Sequence, residues 1–298
     1  MAGKSLAVFA PETRALIERG WEIRKRNFVD KIYFDSPTAT QSVTLTGTGC
    51  ALNCAHCGGH YLEGMLPLTQ VPEDTKELPF RSALISGGCT AEGKVPFYAH
   101  LERLYRLKAQ VRLNFHVGLV DDEEILALKG LADTVSFDFV ADDETIREVY
   151  GLKRSAEDYR TVYLKLREAG LKVMPHLTLG LKGGEFAGEE KALAVLSELG
   201  LDGLTFIVFI PTPHTRYANR KPPLLEEVVQ FLAQARIRFP NIPLALGCMR
   251  PKGRYRQVLD EAGVALGLNR VVLPTPAARR LAEEKELEII RGEECCAL

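Results

Sequence analysis

Three cysteines stand within eight residues in the run Thr46-Gly-Thr-Gly-Cys50-Ala-Leu-Asn-Cys54-Ala-His-Cys57-Gly-Gly, directly after a β-branched apolar stretch. Thiolates are soft ligands that suit iron–sulfur clusters, and such clusters ordinarily take four cysteines. A compact group of three therefore points to a cubane with one iron kept open for a molecule from outside. Two other chemistries use the same residue types. A zinc knuckle wants four Cys or His ligands, and although His56 and His60 are near, His56 lies between two thiols and is poorly placed to share their metal. Cys54-Ala-His-Cys57 alone has the spacing of a thioredoxin-like redox pair, but that motif opens a helix in a much smaller fold and leaves Cys50 without a role.

The elements that must position these residues alternate. Short β-branched runs are predicted as strands at Ser42 to Thr46, Ser82 to Ser86, Val111 to Val117, Thr134 to Phe139, Lys172 to Leu179, Gly203 to Ile210, Pro243 to Gly247 and Arg270 to Leu273. Between them, apolar residues at three- and four-residue steps predict helices at Phe97 to Leu107, Glu123 to Lys129, Asp143 to Tyr150, Ala156 to Glu168, Gly188 to Leu199, Leu225 to Phe239 and Tyr255 to Ala265. Gly130, Gly170 and Gly200 stand where helix C-caps are expected. This is the rhythm of an α/β protein of the (β/α)8 TIM-barrel type, in which chemistry gathers at the C-terminal strand ends. The barrel is expected over residues 39–276, after a helical, charged N-terminal extension (1–38) and before a C-terminal tail (277–298) that ends in Cys295-Cys296-Ala-Leu. Ser86-Gly87-Gly88-Cys89, Asn114 and His116, Asp138, His176 and Thr178, Gly180 with Gly183, Gly184 and Glu185, His214, and Gly247-Cys248-Met249-Arg250 all fall at strand ends. His116, His176, His214 and Arg250 are candidates for the polar lining of a shared mouth, each with a plain structural hydrogen-bonding role as its alternative.

Composition narrows the class. With 298 residues, 46% apolar and 26% charged, the chain can bury a sizeable core. A formal charge of -1 gives no overall field for nucleic acid or an anionic membrane. The apolar run at Leu6 to Ala10 is too brief for a signal-peptide core, and the run Leu204 to Ile210 falls far short of a membrane span, so a cytoplasmic protein is expected. Seven cysteines in that compartment read as metal ligands or reduced thiols.

The CxxxCxxC pattern resembles the radical S-adenosylmethionine (radical SAM) superfamily, and the resemblance covers roughly Ser42 to Pro276. It implies that Cys50, Cys54 and Cys57 hold a [4Fe-4S] cluster whose open iron chelates SAM, and that an electron from the cluster splits the sulfonium to a 5′-deoxyadenosyl radical. Ser86-Gly87-Gly88 looks like the family's glycine-rich strand-end motif that meets the amino group of SAM, with Cys89 where a Glu is usual. Asp138 sits where relatives of biotin synthase place a ribose-binding side chain, although a strand-end Asp is as often a helix N-cap. Gly180, Gly183, Gly184 and Glu185 resemble the loop near the adenine and sugar. Ile207 and Phe209 are candidates to flank the adenine, with barrel core as the alternative. His56 takes the place of the family's aromatic beside the third cysteine.

Cys89, Cys248, Cys295 and Cys296 remain, and a second, auxiliary [4Fe-4S] cluster is expected to take Cys89, Cys248 and one or both tail cysteines if the tail folds back over the barrel mouth, with unligated thiols as the alternative. That arrangement is similar to the sulfur-inserting enzymes of the biotin synthase and lipoyl synthase group, and the thiol-ended tail to a component of the two-protein split lipoyl synthase. The N-terminal cysteine triplet of classical lipoyl synthase is absent, and Asn114 and His116 stand where biotin synthase has a cysteine. The resemblance implies a low-potential electron donor (ferredoxin or flavodoxin), an octanoyl or lipoyl carrier protein and a second radical SAM protein as partners. Arg216, Arg220, Lys221, Lys252, Arg254 and Arg256 cluster around the ends of the sixth and seventh predicted strands and are candidates to receive an acidic carrier, with a solvated loop as the default reading.

Overall fold

Strand and helix signals alternate because each strand needs a crossover helix to bring the next one alongside in parallel, and the structure, a computed structural model, follows that rule. It describes residues 6–72 and 78–298, so the first five residues of the expected N-terminal extension lie outside the described residues. Among these, eleven strands join in one sheet: β1 (Lys31–Asp35), β2 (Thr40–Thr44), β3 (Leu66–Pro67), β4 (Ser82–Ser86), β5 (Arg112–His116), β6 (Thr134–Asp138), β7 (Val173–Leu179), β8 (Leu204–Val208), β9 (Leu244–Leu246), β10 (Arg270–Val272) and β11 (Glu288–Gly292). The order is β11-β1-β10-β9-β8-β7-β6-β5-β4-β2-β3, and every paired neighbour is parallel. All eight expected strands are present, each within a few residues of its predicted bounds.

Three strands lie where none was expected: the two-residue β3, and β1 and β11. The N-terminal extension is helical only over Pro11–Asn27 and then enters the sheet as β1, seated between β10 and β11. Its alternation is legible afterwards: Ile32 and Phe34 are buried while Lys31 and Tyr33 face out. The tail likewise forms a helix, Pro276–Glu284, and β11 before its cysteines.

The outer face of the sheet carries the core. Leu113, Phe115, Val135, Phe137, Leu177 and Phe206 are buried beneath the surrounding helices, with edge-on aromatic contacts from Phe97 to Phe115 and from Phe137 to Tyr159. Helix starts are fixed by reciprocal side-chain caps, Asp121 with Glu124 and Ser155 with Asp158. Gly130 is not a C-cap: it lies inside the helix Asp122–Leu131, where a Cβ would press on the Tyr105 ring. The predicted helix Asp143 to Tyr150 is one α turn followed by a π turn over Ile146–Tyr150, ending on Gly151 at φ 69. No helix among the described residues is long and apolar enough to cross a membrane.

Arg250 does not line a mouth. Its side chain is 1% exposed, its Nε donates to Asp260 Oδ1 at 2.7 Å, and its other nitrogens donate to the carbonyls of Gly247 and Val272. Asp260 also accepts from the Thr275 N–H at 2.9 Å, so this buried pair ties the ends of β9 and β10 to the helix Arg254–Ala265. Removing the cation leaves the buried Asp260 carboxylate with only the Thr275 N–H and the more distant Arg256 at 4.0 Å. Arg250→Ala is expected to lower unfolding free energy by about 3–5 kcal/mol, read by denaturant titration; a loss under about 1 kcal/mol, the size of an exposed pair, would contradict this role.

Candidate cofactor site in the barrel lumen

A parallel barrel normally fills its interior with branched apolar side chains. Here the inward positions are polar. Asn114 and His116 on β5, Ser136 and Asp138 on β6, His176 and Thr178 on β7, and Thr205 on β8 alternate with the apolar residues that face the helices. His116 and Asp138 keep 36% and 39% of their side chains exposed, so the lumen is open to solvent rather than packed dry.

At the mouth, the loop after β2 carries the cysteine trio. It closes in successive turns, with the N–H groups of Cys57 and Gly58 both donating to Cys54 O and that of His60 to Cys57 O. It is then pinned from three sides: Ala51 N–H donates to Cys89 O at 2.8 Å, Gly88 N–H to Thr46 Oγ1 at 2.7 Å, and Ala55 N–H to Val149 O at 2.6 Å. Arg216 adds a bond to Glu148 O at 3.0 Å. A Cβ on Gly88 would overlap Gly49 O and the Cys50 backbone, so only glycine lets these two loops meet. Ser86 donates its hydroxyl to His116 O at 3.2 Å, joining the same motif to β5. The π turn sets Tyr150 edge-on to His56, with ring centroids 5.7 Å apart.

These thiols crowd one another. A hydrogen bond with Cys57, burial, and the charges of Cys50 and Cys89 push Cys54 up, and the same bond with help from His56 holds Cys57 down. Cys89 is pushed up to about 12 by burial and by Cys50, Asp138 and Cys57, which places it with the mouth trio. Among the described residues no three His, Cys, Asp or Glu side chains close on one ion position, the trio included, so the donor types decide the reading. The donor set itself suits an iron–sulfur cluster: three soft ligands on one pinned loop. His56 Nδ1, in the loop, and His176 Nδ1, deeper in the lumen beside His116, are buried without a hydrogen-bond partner among the described residues, so both are open to a ligand in the lumen.

Below the trio, His116 Nε2 and Asp138 Oδ2 lie 3.0 Å apart, and the His116 and His176 ring centroids 6.2 Å apart. Burial alone would raise Asp138, but the charge and hydrogen bond of His116 outweigh it and hold the carboxyl at about 2. Burial works against protonated His116 too, and Asp138 outweighs it, so His116 is raised. His176 is lowered to about 4 by burial, with His116 adding to the effect. Asp138 caps no helix; that role belongs to Asp142, which accepts from Thr145 N–H.

The tail does not cross the mouth. It runs along the opposite end, where the strands begin: Ala39 N–H donates to Glu293 O, Cys295 N–H donates to Thr40 Oγ1 at 2.8 Å, and Arg270 donates to Cys296 O at 2.9 Å. Cys295 Sγ accepts from Asn114 Nδ2 at 3.3 Å, so this thiol enters the lumen from its floor. Cys248, at the end of β9, is solvent-accessible, yet burial and the charge of Cys295 push its thiol up. Cys296 is pushed up by its bond to Cys295, by burial, and by the charges of Cys295 and Cys248. The spare cysteines therefore divide differently from expectation: Cys295 and Cys296 sit at the floor, Cys248 stands past the end of β9, and Cys89 joins the mouth.

Other expected contacts separate. Ile207 is half-buried on the lumen side, but Phe209 is core, 2% exposed and edge-on to Tyr217 at 5.9 Å. Gly180 adopts φ 71 against Pro223, its N–H bonded to Glu189 at 2.9 Å, whereas Glu185 is exposed in a flank cleft of about 980 Å³ with Gly183, Gly184, Arg220 and Lys221. His214 is exposed at φ 63 and lines nothing. Sequence reasoning missed Ser136 and Tyr150; the period of two in Thr-Val-Ser136-Phe-Asp138 was the signal for the first, and nothing local marks the second.

Residues 44–187 match the family model described as the Radical SAM superfamily. The matched stretch is a radical SAM domain. No curated protein matches it. Among solved structures, the fold is similar to methylornithine synthase (PylB), with a TM-score of 0.66 at 16% identity over 96% of this chain and 92% of the other. It is also similar to the FeFe-hydrogenase maturase HydG from Carboxydothermus hydrogenoformans, with a TM-score of 0.65 at 18% identity over 91% of this chain and 66% of that one. A third likeness is to Streptococcus suis SuiB bound to S-adenosylmethionine, with a TM-score of 0.54 at 12% identity over 80% and 55% of the two chains. At these identities the likeness concerns the fold. The radical SAM domain implies a [4Fe-4S] cluster and SAM, which the trio and the glycine approach at Gly88 fit.

Two outcomes follow from this geometry. Gly88→Ala is expected to displace the cysteine loop and cost most of the iron bound at the mouth, measured by iron analysis after anaerobic reconstitution; retention of wild-type iron would show that the loops have room to part. Asp138→Asn is expected to lower the His116 pKa, since it removes the charge that stabilises the imidazolium, while in the wild type His176 stays neutral down to a pH near 4. Ring NMR titration of both histidines checks this, and an unmoved or higher His116 pKa in the variant would refute the pairing.

Proposed function

We propose that this chain is a radical SAM enzyme that cleaves SAM reductively and inserts sulfur from an auxiliary iron–sulfur cluster into an unactivated C–H bond of an aliphatic chain, with an octanoyl arm on a carrier domain as the preferred substrate. The observation that carries the reading is that thiols reach one polar lumen from both ends: Cys50, Cys54 and Cys57 with Cys89 at the mouth, and Cys295, bonded to Asn114 Nδ2, with Cys296 from the floor, while Cys248 stands past the end of β9. When bound, the first cluster with SAM supplies a hydrogen-abstracting radical and the second supplies sulfide.

In this reading the protein binds, orients and shields. Cys50, Cys54 and Cys57 hold the mouth cluster, and the Gly87-Gly88 backbone admits the amino group of SAM at close range. Asp138, kept ionised by His116, is an acceptor for sugar hydroxyls. Asn114 and Ser136, already bonded to each other at 3.0 Å, hold the lumen wall between the two thiol sets. A narrow, long substrate arm suits a reaction centre deep in the lumen, reached from a protein docked outside. Lys252, Arg254, Arg220 and Lys221 are exposed and suit an acidic carrier, whereas Arg216 and Arg256 are engaged with the carbonyls of Glu148 and Leu273. A ferredoxin or flavodoxin would deliver the electron, and a second radical SAM protein is the expected companion of a split system.

Anaerobically reconstituted protein given SAM and dithionite is expected to release 5′-deoxyadenosine, and Cys54→Ala to release none, followed by chromatography. An intact cluster that yields no 5′-deoxyadenosine would overturn the radical-enzyme reading. Product with an octanoylated carrier, alone or with the companion protein, separates sulfur insertion from other radical chemistry.

A further inference from the structure

The way the tail is held is more elaborate than the end of a chain requires. Four basic side chains, at or just before the starts of four different strands, turn toward residues 293–298. Arg81 pairs with Glu293 before β4, and Arg112 with Glu294 at the first residue of β5. Lys172, just before β7, donates to Ala297 O at 3.1 Å and Leu298 O at 3.2 Å. Arg270, at the first residue of β10, donates to Cys296 O at 2.9 Å and pairs with buried Asp35 at 3.1 Å. These are contacts to backbone carbonyls and to two adjacent glutamates, and they bracket Cys295 and Cys296 on both sides.

The approach to this collar is equally constrained. Ser36 N–H donates to Gly292 O at 2.8 Å, and a Cβ on Gly292 would overlap the Asp35 carboxylate, so the chain passes the buried acid only as glycine. Beyond it, Thr40 Oγ1 and Asn114 Nδ2 fix Cys295 at its amide and at its sulfur. A tail held only to cover the strand starts would not need a hydrogen bond aimed at a thiol in the lumen.

We propose that Arg81, Arg112, Lys172 and Arg270 are positioning residues that dock the C-terminal tail across the base of the barrel, so that Cys295 and Cys296 enter the lumen from its floor as the tail's share of a second thiolate site. The class of ligand, an iron–sulfur cluster, rests on the function proposed above; the docking does not. Each exposed ion pair is weak alone, and it is their number on a six-residue segment that fixes the thiols.

The test uses full-length protein with Arg81, Arg112 and Lys172 changed together to Ala, and separately Gly292→Ala, with Arg112→Lys as the conservative control. In metal-free protein kept reduced, maleimide labelling of Cys295 and Cys296, located by mass spectrometry, is expected to accelerate about tenfold in the first two variants while labelling of Cys54 and the thermal midpoint hold. After anaerobic reconstitution, iron is expected to fall from about eight per chain in the wild type to about four in both variants, and Arg112→Lys to keep about eight. Unchanged labelling of both tail thiols in both variants would overturn the docking role. Accelerated labelling with about four irons in the wild type itself would uphold the docking and overturn the second cluster.

Discussion

A barrel whose inward positions are Asn, His, Ser, Asp and Thr cannot be held together from within. Burying such groups dry, without partners, costs several kcal/mol each, so the lumen must keep water or admit ligands, and cohesion has to come from the outer face. That division explains the rest of the architecture. The apolar alternate residues, Leu113, Phe115, Val135, Phe137 and Leu177, all turn outward beneath the helices, and charge in the lumen is balanced locally by the His116–Asp138 pair. The two ends of an open lumen must then be furnished separately, by the cysteine loop at one and by the tail at the other.

The mouth is rigid for steric reasons. A loop of three thiols crowded enough to perturb one another would be free to spread apart unless anchored, and its anchors come from three different connections: the Gly88 motif after β4, the π turn at Ile146–Tyr150, and the segment after β8 that carries Arg216 and Tyr217. The first is legible as a glycine pair at a strand end. The other two meet the loop at Ala55, whose N–H donates to Val149 O and whose carbonyl accepts from Tyr217 N–H; the π turn is a local distortion of a helix, which periodicity records as an ordinary amphipathic turn.

Buried cations had a different use from the one their positions implied. Arg250 looked like a strand-end functional residue and is a fully buried tie between β9, β10 and a helix; Arg236, inside the helix Leu225–Arg238, similarly holds the carbonyls of Phe239 and Ile242 and the side chain of Asn269. In both cases the guanidinium replaces several missing hydrogen-bond donors at once. Nothing in one-dimensional spacing separates such an arginine from one that meets a substrate.

What the sequence determined by itself was local. The thiol trio, the eight core strands and the helices that follow them were readable because period-two and period-3.6 patterns and metal-ligand spacing are properties of a few consecutive residues. Strand β3 was missed because it is only two residues long, and β1 and β11 because each is short, carries charge, and owes its place to pairing partners far along the chain. The tertiary structure alone decided which thiols belong together. Cys89 and Cys248 both follow glycines at strand ends, and only the packing of the loop after β4 against the cysteine loop sends the first to the mouth trio. Cys295 and Cys296 reach the lumen through its floor because β11 pairs with β1, which delivers the tail to the ends where the strands begin; that pairing spans more than 250 residues, a separation over which no local pattern carries information.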